Sequence, residues 1–190
     1  ADPATYFFDD FSTTPAGKAP LNWRSNLDNK GASSVVRELK GLDGHWAAVS
    51  GFTVAPAKLA GPLPRDFTVS YDLVAARDYT WGARGMTVKL SKGVAHSGKD
   101  SFFSVRLRPG FGTRDGEAVV EGKFPGAPGA FNETKWVAVP GFSNTEQNNR
   151  ITVTIKKQGE RVQILIGQAK IAEYPKAIPD ALLFAAISFD

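Results

Sequence analysis

The chain has 190 residues, 42% of them hydrophobic, with 23 basic residues against 19 acidic and no cysteine. A chain of this length buries roughly 70% of its unfolded surface in one core, so one domain over residues 1–190 is expected, and the missing thiols exclude disulfides and zinc-thiolate sites without deciding the compartment. The net charge of +4 comes from interspersed signs with no block of five like charges, which excludes a nucleic-acid stripe; no run of about 18 apolar residues would span a membrane.

Taken in chain order, the opening Ala1-Asp2-Pro3 would suit either the mature end left after a signal peptide is removed or an expression remnant. Tyr6 to Ser12 reads as a short aromatic strand, and the Pro/Gly segment Thr14 to Pro20 as a loop leading to Trp23, a packing plug for one end of the fold. Val35 to Lys40 and Trp46 to Ser50 predict a hairpin around Gly41-Leu42-Asp43-Gly44. Phe52 to Pro56 continues as a strand before the corner Pro62-Leu63-Pro64. The clearest signal follows, with Phe67, Val69, Tyr71 and Leu73 apolar at every second position and Thr68, Ser70 and Asp72 in the gaps. That period of two is a half-buried strand with one wet face. It recurs at Met86, Val88, Leu90; at Phe103, Val105, Leu107; at Ile151, Val153, Ile155; and at Val162, Ile164, Ile166. Glu117 to Lys123, Lys135 to Val139, Ala169 to Glu173 and Leu182 to Phe189 complete about a dozen strands by these signals. The 19 glycines and 12 prolines are spread so evenly that long helices have no room. The fold class is therefore all-β, an antiparallel β-sandwich.

The stretch from Ile151 through Val162-Gln163-Ile164-Leu165-Ile166-Gly167, Lys170-Ile171-Ala172, Tyr174-Pro175 and Phe184 to Phe189 resembles the C-terminal portion of the concanavalin A-like, or laminin-G-like, jelly roll. Phe8-Asp9-Asp10-Phe11-Ser12 with Pro20-Leu21-Asn22-Trp23 is similar to the start of bacterial exported members of that superfamily. The resemblance implies two curved antiparallel sheets with ligands on a concave face or its rim loops. It also implies that hydrolases, lyases, lectins, binding modules and adhesion domains are all compatible with the fold.

The best functional candidate is the loop Asp78 to Arg84, where Tyr79 and Trp81 offer rings to stack on sugars and Arg84 offers hydrogen bonds. Arg106 and Arg108 share one strand face with Ser104 and suit an acidic sugar, or a salt-bridged partnership with Glu117 and Glu121. Trp46 and Trp136, lying within strands, are assigned to core packing. His45 and His96 each fall in a glycine-containing loop with no recognisable partner. The resemblance implies a structural calcium ion tying the first strand to the last, for which Asp9, Asp10 and Asp190 are the candidate ligands. A retaining glycosidase of this fold needs two carboxylates about 5.5 Å apart. Glu117 and Glu121 would share a face but stand roughly 13 Å apart along a strand, and no Glu-x-Asp-x-Glu run is present. Neither a serine nor a cysteine nucleophile motif nor a phosphate-cradling loop occurs.

These features lead to the expectation of a non-catalytic, monomeric, exported domain, secreted or held in the periplasm or cell envelope. It would bind a glycan or cell-envelope component through Tyr79, Trp81, Arg84, Arg106 and Arg108, and would require no cofactor. The alternatives are a glycoside hydrolase or polysaccharide lyase of the same fold, with Asp72, Asp78, Glu117 and Glu121 as the carboxylates to test, and a structural domain without a small ligand.

Overall fold

Where apolar residues alternate, the chain forms ladders. The computed structural model describes residues 5–25, 34–49, 53–80, 84–93, 100–145, 147 and 149–190. Among these there is no helix, and the strands are β1 (Trp23–Ser25), β2 (Val36–Leu39), β3 (Leu42–Ala47), β4 (Val54–Pro56), β5 (Phe67–Val74), β6 (Met86–Ser91), β7 (Phe102–Arg108), β8 (Gly116–Lys123), β9 (Thr134–Val139), β10 (Arg150–Gln158), β11 (Arg161–Ile166), β12 (Ala169–Tyr174) and β13 (Ala186–Phe189). Seven of them form one sheet in the order β1-β4-β13-β6-β7-β8-β9, four form a second in the order β12-β11-β10-β5, and β2 pairs only with β3. All the strand pairings are antiparallel.

The inward residues of both sheets share one core: Val69, Val153, Ile155 and Ile164 from the four-stranded sheet, with Val88, Leu90, Phe103, Val105, Leu107 and Val120 from the seven-stranded sheet. This is the sandwich that the period-two pattern predicts. Lys157 extends the inward row of β10 at one end of the core, where its buried ammonium donates to the Arg65 carbonyl at 2.6 Å. Trp23 seals another margin as expected, with its ring 5.3 Å from Phe7, 5.6 Å from Phe11 and 5.7 Å from Phe189.

Three local expectations are corrected. Tyr6 to Ser12 is not a strand, because Asp9 and Asp10 turn the chain: the amide of Phe11 donates to Asp9 Oδ1 at 2.7 Å and that of Ser12 to Asp10 Oδ1 at 3.0 Å, with Phe11 at φ 58°. The hairpin turns at Lys40-Gly41 instead of Gly41 to Gly44, so Leu42 to Ala47 is strand and His45 lies in β3, its Nδ1 3.0 Å from the Phe11 carbonyl oxygen. The closing strand is shorter than Leu182 to Phe189, since the chain turns at Leu182, whose amide donates to Pro179 O, before β13 begins at Ala186.

Candidate functional site

Strand register assembles the candidate site, on the face of the seven-stranded sheet turned away from the core. In β7 the residues Phe103, Val105 and Leu107 point inward, so Phe102, Ser104, Arg106 and Arg108 point outward. Pairing then sets Arg106 in one row with Thr87 of β6, Val119 of β8 and Trp136 of β9. The next rows hold Lys89, Ser104, Glu121 and Thr134 on one side, and Arg108, Glu117 and Ala138 on the other. Asp190 joins the Arg106 row from the far side through paired backbone bonds with Thr87.

Part of this face is sheltered. Ser91, Phe102, Ser104, Val119 and Ser188 are all buried although their parity points them out of the core. At the β9 edge the opposite holds: Trp136 is 58% exposed. The expectation that Trp136 packs in the core is therefore wrong, because Val137 and Val139 take the inward positions of β9. The Arg108 guanidinium lies 6.0 Å from the centroid of the Trp136 ring and is bonded to Glu117 at 2.9 Å. Lys89 holds its ammonium 5.0 Å from the Phe102 ring. An exposed indole beside guanidinium and carboxylate groups can stack on the apolar face of a sugar and bond its hydroxyls.

Two groups on the face stand out for what they lack. Glu121 makes no ion pair or side-chain hydrogen bond among the described residues. Arg106 has its Nε sealed from solvent without a hydrogen-bond partner among the described residues. The antiparallel diagonal from Arg106 reaches Glu117 and Glu121 alike, yet Glu117 turns to Arg108.

The remaining candidates fall elsewhere. Arg84 is exposed and leads into β6 through Gly85, which sits against Leu107 and Arg108, so Arg84 borders the rim of the same face. Tyr79 is half-buried in the turn after β5, its amide donating to Ala76 O at 3.0 Å, and Asp78 is exposed in that turn. Trp81 and His96 lie outside the described residues. Asp72 is on the outer face of the other sheet, bonded to Arg150 at 2.8 Å and Thr152 at 2.6 Å. Partial burial works to raise its carboxyl, and the bonds from Thr152 and Arg150 outweigh that and hold it below the ordinary range. A carboxylate kept ionised in this way is a poor proton donor, and it does not share the face with Glu117 and Glu121. Trp46 is half-buried under Arg150, whose guanidinium lies 5.2 Å from its ring.

The three proposed calcium ligands have different local duties. Asp9 accepts from the Phe11 amide and, at 2.8 Å, from Trp23 Nε1, Asp10 accepts from Ser12, and Asp190 sits across from Thr87. Among the described residues no three His, Cys, Asp or Glu side chains gather in a metal-holding group.

No protein-family model matches the chain, and no curated protein matches it in sequence. Its fold has solved counterparts. A β-glucanase of Bacillus licheniformis aligns with 98% of this chain and 84% of its own at 9% identity and a TM-score of 0.57. A glycoside hydrolase family 16 endo-glucanase of Bacteroides ovatus aligns with 96% of this chain and 81% of its own at 11% identity and a TM-score of 0.52. A structure described as a native glycosidic hydrolase aligns over 88% of this chain and 75% of its own at 9% identity, with a TM-score of 0.53. The fold is thus the concanavalin A-like jelly-roll sandwich. These neighbours also correct the expectation of a non-catalytic binding domain: all three, which superpose on 88% to 98% of the chain, are hydrolases, which favours the hydrolase alternative.

Proposed function

We propose that this protein is a glycoside hydrolase whose polysaccharide lies across the outer face of the seven-stranded sheet. The observation that carries the reading is the likeness to glycoside hydrolases over 88% to 98% of the chain. The arrangement of the face supports it: Trp136 is a stacking platform at the edge, and Glu121, one strand inward, is a carboxylate without an ion pair among the described residues. Glu117 and Glu121 do not form the catalytic pair with each other. Four residues of strand separate them by roughly 13 Å, beyond the about 5.5 Å of a retaining pair and the about 6.5–9.5 Å of an inverting one. The second carboxylate then comes from another element, which accounts for the missing local motif. We extend the proposal to place the protein outside the cytoplasm, where polymeric glycans are met.

The test is release of reducing ends from a panel of soluble polysaccharides, with Glu121→Gln and Glu117→Gln compared. The reading expects Glu121→Gln to abolish release. Release that survives the loss of both carboxylates, or none on any polymer, overturns it.

A further inference from the structure

We infer that the polymer carries carboxylates, as in chains of uronic acid, and that Arg106 is the residue that selects it. The inference rests on the proposed hydrolase reading for the location of the face, and it adds the substrate class.

Arg106 occupies the middle of the face, on β7, with two strands to one edge of the sheet and four to the other. A guanidinium is always charged, and a donor withdrawn from water without a partner is costly. Its Nε is in that condition among the described residues. Both glutamates of β8 lie on its diagonals, and neither quenches it. Arg108 on the same face is already matched by Glu117 at 2.9 Å, so among the described residues Arg106 is the one of the two without an ion pair.

The identity of the orphaned atom narrows the ligand. Once the side chain turns its sealed edge outward, Nε and one terminal nitrogen present two parallel N–H bonds along one side of the guanidinium, and a planar two-oxygen acid accepts both at once. A sugar hydroxyl or ring oxygen would accept only one. Thr87, paired with Arg106 across the ladder, and Ser104, two residues before it on the same face, place short hydroxyl side chains beside it. Trp136 in the same row would stack on the neighbouring ring of the chain.

The experiment is affinity electrophoresis of the purified protein through gels containing polygalacturonate, alginate, mixed-linkage β-glucan or dextran sulfate, run alongside assays for reducing and unsaturated chain ends. Retardation by the polyuronates above that by β-glucan and dextran sulfate is expected. Arg106→Gln should weaken it about 10- to 100-fold. Arg106→Lys, which keeps the charge and loses the fork, should lose most of it too, whereas Arg161→Gln on the four-stranded sheet should retain it. Folding of each variant is checked by its thermal transition. Equal retardation of wild type and both Arg106 variants overturns the inference, as does preference for the neutral glucan; preference for dextran sulfate overturns the choice of carboxylate. Cleavage of a neutral glucan without polyuronate binding sinks this inference and leaves the hydrolase reading intact. Polyuronate binding through Arg106 without cleavage of any polymer does the reverse.

Discussion

Removing one oxygen from the core should make this protein more stable. Tyr71 lies in β5 opposite Val153, with its ring edge-on to Phe189 at 5.4 Å and an interplanar angle of 86°. Its hydroxyl is sealed from solvent and has no hydrogen-bond partner among the described residues. An unsatisfied buried hydroxyl costs roughly 1–3 kcal/mol. Tyr71→Phe removes that cost and keeps the ring contacts, at the expense of a void the size of one oxygen. The expected net gain is about 1 kcal/mol, or about 2–4 °C in Tm for a chain of this size. A second signature appears at alkaline pH. Burial pushes the phenol well above its ordinary 10.0. Above pH 10 the unfolded chain therefore gives up a proton that the fold retains, and stability falls with rising pH by up to about 1.4 kcal/mol per unit. Burial has the opposite sense for Lys157, whose ammonium is lowered from 10.5, so that stability from this group rises with pH up to that value. Subtracting the wild-type profile from that of Tyr71→Phe cancels the lysine contribution. Urea unfolding from pH 7 to 11 reads both effects. A destabilised Tyr71→Phe with an unchanged alkaline slope would refute the reasoning, since it would mean that the hydroxyl is bonded.

Gly85 should tolerate no side chain: it has φ 80°, and an added Cβ would lie 2.2 Å from the Leu107 carbonyl oxygen, so Gly85→Ala should cost about 2 kcal/mol or more in denaturant unfolding. Trp136→Ala should leave stability within about 0.5 kcal/mol because the ring is already exposed, while sugar release falls about tenfold from the lost stacking surface; unchanged release would remove Trp136 from the site. At low pH, the bonds that hold Asp72 ionised contribute stability that is complete above the unfolded carboxyl value near 3.8 and is lost as pH falls through its depressed native value. Asp72→Asn should therefore flatten the acid limb of the stability profile, and an identical limb in both proteins would contradict the assignment.

The sandwich was legible because alternation is a property of neighbouring residues: Phe67 to Leu73 declare their inward and outward faces with no knowledge of their partners. The same parity was available for Trp136, since Val137 and Val139 claim the inward positions, but a place within a strand, taken without regard to face, reads as core packing. The opening aromatic run misled for a related reason. Phe7, Phe8 and Phe11 look like strand residues, whereas the aspartates between them bend the backbone with their own side chains. The functional face was legible only in part: parity puts Arg106 and Arg108 on one strand face beside Glu117 and Glu121, and Arg108 does pair with Glu117, but the full row is not legible. Thr87, Arg106, Val119 and Trp136 come from four strands and meet only through register, which depends on pairing across long separations. The aromatic loop at 78–84 touches that face at its margin through Arg84.

The position of β13 has a consequence for how the chain is made. The strand from Ala186 to Phe189 is wedged between β4 and β6, in the interior of the seven-stranded order. During synthesis the ribbon β6 to β9 and the pair β1 and β4 are complete long before it emerges, and each waits with a bare backbone edge facing the gap. The two halves of the sheet are riveted together last, by four residues that close loops spanning most of the sequence. A nascent chain stalled before Ala186 thus holds two sticky ribbons in place of one sheet, the state in which this protein is most exposed to edge-to-edge association.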